Sequence, residues 1–84
     1  MNNINKLSTV EVTWWDAQDT TEVDLAEATK RVAGEYLAKR VTYGKLLKEE
    51  DTAILIIRDY CEDDRKCEIT AIPTPWVVNI KKVE

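Results

Sequence analysis

Histidine and phenylalanine are absent from this 84-residue chain, and glycine, proline and cysteine occur only twice each. Each shortage excludes something. Without His, two cysteines are too few ligands for a zinc centre, so no metal site is expected. The same absence removes the commonest general base and leaves carboxylates as the candidates for acid–base chemistry. Two isolated glycines, Gly34 and Gly44, supply no phosphate-cradling loop. Long apolar runs are missing too: the longest, Ala53 to Ile57, is far too short to span a bilayer, and the opening MNNINKLSTV has no apolar core of the signal-peptide kind. The expectation is a soluble, cytoplasmic protein with no membrane contact.

Cys61 and Cys67 are fewer than a secreted mini-domain of this size would carry. They flank EDDRK, and a strand–loop–strand arrangement would bring them close. Two reduced thiols are the expectation and a bridge is the alternative. The formal charge of −4 and a pI near 4.8 argue against nucleic acid as a partner, because that affinity comes largely from Lys and Arg.

What remains is an apolar content of 44%, with three Trp and three Tyr. A chain this short forms one domain, residues 1–84, able to bury roughly 60% of its unfolded surface. Residues 1–6 are expected to be disordered. From Leu7, the stretch LSTVEVTWWDA alternates, with Val10, Val12 and Trp14 apolar and Thr9, Glu11 and Thr13 between them, which predicts a first strand ending at Asp16. Asp24 and Glu27 have capping-box spacing, and Leu25, Ala28, Val32 and Tyr36 recur every three to four residues, so a helix is predicted from Asp24 to an end between Ala33 and Lys39.

Four short strands should follow. RVTYGKLLKEED puts Val41 and Tyr43 on one face, with Gly44 at a bulge or a close backbone approach. TAILII is apolar on both faces and is the best core candidate. CEITAI alternates, with Cys67, Ile69 and Ala71 together. Pro73 and Pro75 then break the ladder, so PTP is a corner and WVVNIKKV a last strand, its Trp76, Val78 and Ile80 facing the core with Trp76 as a plug. The fold class is α+β, mainly β: a small five-stranded, partly open barrel with one helix inserted between strands 1 and 2. A sheet with the helix packed on one face is the alternative.

Val12-x-Trp14-x-Asp16-Ala17, then a short helix, then Thr42-x-Gly44-x-Leu46 with an acidic turn, an apolar strand and Ile72-Pro73-x-x-Trp76-Val77 form a pattern covering most of Val10 to Ile80. It resembles a group of small, uncharacterised bacteriophage and prophage proteins thought to form Src-homology-3-like or Sm-like barrels. Thr74-Pro75 stands where that group has Lys-Gly, and Val23 where an aromatic opens the helix. The resemblance implies a phage-related origin and a barrel, with no activity attached.

Candidate sites are few. Asp16, Asp19, Glu22 and Asp24 gather around the first loop, where a helix dipole accounts for acidic residues without catalysis, so no enzyme is expected. Trp14 and Trp15 are adjacent and must point to opposite faces, making Trp15 the outward residue that meets the helix, a second subunit or a ligand. With Tyr36 and Tyr60 it forms the candidate interaction surface. Lys30, Arg31, Lys39, Arg40, Lys45 and Lys48 concentrate half of the twelve basic residues, and Lys39, Arg40 and Lys45 are candidate anion contacts. Two functional classes follow: a non-enzymatic protein acting through protein contacts, as a homo-oligomer or on a host factor, or a barrel binding a small anion such as a nucleotide. Sm-like RNA binding ranks behind both, and no cofactor is expected.

Overall fold

The computed structural model describes residues 4–83. β-branched and aromatic residues at alternate positions make β1, Thr9–Asp16, a strand with one buried edge of side chains: Val10, Val12 and Trp14 are buried while Trp15 is exposed. The others are β2 (Ala38–Glu49), β3 (Ala53–Tyr60), β4 (Cys67–Pro73) and β5 (Val77–Lys82). They form one five-stranded antiparallel sheet in the order β4-β3-β2-β1-β5. The first and last strands are neighbours, as expected. The sheet stays open, because β4 and β5 do not pair with each other.

β2 serves two partners in turn. Ala38 to Lys45 pair with β1, and Lys45 to Glu49 pair with β3, so the sheet changes direction around Gly44 and Lys45. Glycine is required there: a Cβ on Gly44 would stand 2.3 Å from the Ile57 carbonyl oxygen and 2.6 Å from Ile56 Cγ2. This is the close approach the sequence suggested. The fold brings Val10, Val12 and Trp14 of β1 against Ile54 and Ile56 of β3 and Ile72 of β4 in one cluster, with Leu46, Val77 and Ile80 packed on it. Trp14 Nε1 donates to Thr42 Oγ1 at 2.9 Å, which satisfies the indole inside the core.

Two expectations need correction. The helix is short: α1 spans Leu25–Lys30, with Asp24 as its cap accepting from the Ala26 N–H at 3.0 Å, and the chain is extended at Arg31. Residues Ala33–Tyr36 make a separate 3-10 turn. β-branched Val32 and Gly34 are poor helix formers, and no buried residue in α1 or the 3-10 turn offsets their cost. The apolar residues of this segment face water: Leu25 in α1 is 80% exposed, and Val32 beyond it 70%.

Trp76 is not a core plug. Pro75 lies in a 3-10 turn, Thr74–Trp76, that swings the indole outward before β5 begins. Val78 is the extra residue of a bulge, since Thr13 pairs with Asn79 but Trp14 with Val77; the inward residues of β5 are therefore Val77 and Ile80. Ile4–Lys6 form a 3-10 turn, and residues 1–3 lie outside the described ones. The face carrying Cys67, Ile69 and Ala71 points to solvent, and Ile72 supplies the buried side chain of β4.

Ala17 to Leu37 thus form an arm between β1 and β2, a quarter of the chain. α1 buries none of its residues, and the molecule measures 55 × 24 × 23 Å. Its radius of gyration, 16.6 Å, compares with about 12 Å for a compact chain of this length. The arm projects.

Candidate functional site

At the root of the arm, β1 ends and β2 begins opposite the corner between β4 and β5. Trp15, Ala17, Leu37 and Trp76 line a cleft of about 190 Å³ there. Each wall has a local cause. Trp15 faces outward because Trp14 took the core side of β1. Trp76 faces outward because of the Thr74–Trp76 turn. That corner is pinned from below: the Thr74 N–H donates to the Thr52 carbonyl at 3.1 Å, and Thr74 Oγ1 to the Glu50 carbonyl at 2.6 Å, tying it to the turn between β2 and β3. The cleft is held by the sheet on one side and by the ends of the arm on the other.

Both indoles are accessible, Trp15 at 40% and Trp76 at 43%, and Leu37 beside them is exposed as well. Lys39 Nζ lies 5.6 Å from the Trp15 ring centroid, a cation–π contact of about 0.5–1 kcal/mol at an exposed site. Arg40 Nε donates to Asp16 Oδ2 across β1 and β2, closing the base of the arm. Large apolar rings with a cationic rim suit an apolar side chain flanked by acidic groups.

The fold distributes the remaining candidates. Tyr36 packs within the arm, beside Gln18, Thr20, Val23 and Ala28, and Tyr60 borders a hollow of about 260 Å³ with Leu7, Leu47 and Cys67. Trp15 lines a different hollow from either tyrosine. Lys39 and Lys45 sit six residues apart on β2, about 20 Å along a strand, and Lys45 Nζ donates to the Leu7 carbonyl at 3.3 Å. Arg40 is held by Asp16. Asp19, Glu22 and Asp24 are spread along the exposed arm.

Cys61 and Cys67 are both free and exposed. Cys67 pairs with Tyr60 at the end of the β3–β4 ladder, and both cysteines border a hollow there with Asp59, Asp64 and Lys66. No helix among the described residues is long and apolar enough to cross a membrane, and no group of three or more potential metal ligands occurs among them.

The class these features define is a small, mainly β protein with an open antiparallel sheet, a projecting apolar arm and an aromatic cleft at the arm's root. No family model, curated protein or solved structure matches the chain.

Proposed function

We infer that this chain is a small non-enzymatic docking module whose aromatic cleft takes an apolar, acid-flanked protein segment. One observation carries the reading: Trp15, Leu37 and Trp76 are all exposed and stand together around one cleft, with the Lys39 ammonium over an indole. A single copy with seven buried apolar residues among the described ones has much to gain from burying two indoles. Two of the acidic residues around the first loop already have structural duties, Asp24 at the cap and Asp16 on Arg40, which favours a binding role over acid–base chemistry.

The strand order, with β1 between β2 and β5 and a 3-10 turn before the last strand, supports reading the sheet as a Src-homology-3-like or Sm-like small barrel with the arm as an enlarged first loop. A phage or prophage origin belongs to the same proposal. The nucleotide reading has less behind it, because Lys39, Arg40 and Lys45 do not converge.

The test is selection from a displayed random-peptide library on the wild type and on a Trp15→Ala/Trp76→Ala variant. Enrichment of peptides combining apolar and acidic residues on the wild type alone is expected. Equal enrichment on both, or none on either, would contradict a docking role for the cleft.

A further inference from the structure

Two surfaces of this chain are unpartnered, and they complement each other. The first is the arm. Val23, Leu25 and Val32 are exposed on it, and residues 17–37 are acidic in balance, with Asp19, Glu22, Asp24, Glu27 and Glu35 against Lys30 and Arg31. The second is the aromatic cleft together with the outer face of β2 that runs from it. Lys39, Val41, Tyr43 and Lys45 alternate along that face, with Val41 and Tyr43 both exposed, and residues 38–48 carry Lys39, Arg40, Lys45 and Lys48 with no acidic residue. Laid together, apolar side chains meet aromatic ones and acids meet bases.

The arm does not cover its own cleft. Ala17 and Leu37, its two ends, are walls of that cleft, and Trp15, Leu37 and Trp76 around it all stay exposed. A second molecule carries the same arm free of this constraint. We propose that the cleft of one copy receives the arm of another, reciprocally, in a two-fold dimer.

This inference rests on the cleft being a protein-docking site and names its occupant. The size is adequate: a stable interface needs about 800 Å² from each partner, about an eighth of the 6628 Å² that one chain exposes, and the arm is a quarter of the chain. Reciprocity gives each dimer two such contacts. The residues that carry the contact are Leu25 and Val32 on one side and Trp15 and Trp76 on the other.

The experiment is the solution mass by light scattering over a dilution series, for the wild type, for Leu25→Asp/Val32→Asp and for Trp76→Ala. All three residues are solvent-exposed in a single copy, so these variants should fold, and circular dichroism verifies that they do. The wild type is expected to approach twice 9.7 kDa as concentration rises. Each variant should dimerise at least about thirtyfold more weakly, the factor for losing one hot-spot residue. In a mixture of the two variants one of the two contacts is intact, so the mixed dimer should associate more tightly than the weaker variant and less tightly than the wild type. A synthetic peptide copying residues 17–33 should shift the tryptophan fluorescence of the arm variant saturably.

A wild type that stays monomeric throughout, or a dimer that survives both variants, overturns the proposal. If a monomeric wild type still selects library peptides through its cleft, only the choice of a second copy as occupant has failed. If it selects none, the docking reading has failed with it.

Discussion

Replacing Gly44 by Ala adds one methyl group where the sheet changes direction, and the structure sets its cost. The added carbon would lie 2.3 Å from the Ile57 carbonyl oxygen, 2.6 Å from Ile56 Cγ2 and 3.1 Å from the Ile57 carbonyl carbon. Two of these atoms are backbone, so no side-chain rotation relieves the contact; β2 and β3 must separate beside the cluster of Ile54 and Ile56. Overpacking costs 1–3 kcal/mol, and a backbone clash belongs at the upper end, about 3 kcal/mol. A domain of this length has a total stability of about 4–13 kcal/mol, and each kcal/mol is worth roughly 4–8 °C. Thermal unfolding by circular dichroism should therefore show a Tm lower by about 12–24 °C. The control is Gly34→Ala, where nothing lies within 4 Å and φ is not positive, and its Tm should be unchanged or slightly higher. Equal effects at the two glycines would refute the packing of β2 on β3 described above.

Thr42→Val keeps the shape of the core but strips the acceptor from the Trp14 indole, so it should destabilise by about 1–3 kcal/mol in denaturant titration. Asp24→Ala removes the cap of α1, worth about 1 kcal/mol locally; because α1 buries none of its residues, amide exchange at residues 25–30 should accelerate while Tm stays put. Both thiols should react with a chromogenic disulfide reagent in the folded protein, and dithiothreitol should leave Tm unchanged, since Cys61 and Cys67 are free and exposed.

Strands were readable where one face is buried. The alternation of Val10, Val12 and Trp14 and the two-sided apolar run of β3 reflect burial directly, and both elements lie where the pattern placed them. Asp24 was readable because capping is local chemistry. The helix length was not, because Leu25, Ala28, Val32 and Tyr36 keep helical spacing whether or not a surface receives them, and here none of them is buried. Trp76 misled for a related reason: counting in twos from Trp76 to Ile80 assumes an uninterrupted strand, and the Thr74–Trp76 turn and the bulge at Val78 each break the count. Of the cleft, only Trp15 stood out in the sequence. Trp76 was signalled by its place directly after two prolines, where a ladder position is denied to it.

The account makes the sheet the folded unit and the arm a segment that gains its partner at the cleft of a second copy. Amide hydrogen exchange at residues 17–37, followed at low and high protein concentration, tests this most directly. The account predicts an arm that exchanges rapidly when dilute and becomes protected on concentration, while protection in β2 and β3 is already high when dilute. An arm equally protected at every concentration would mean that it packs on its own sheet, and one never protected would mean that the cleft does not receive it.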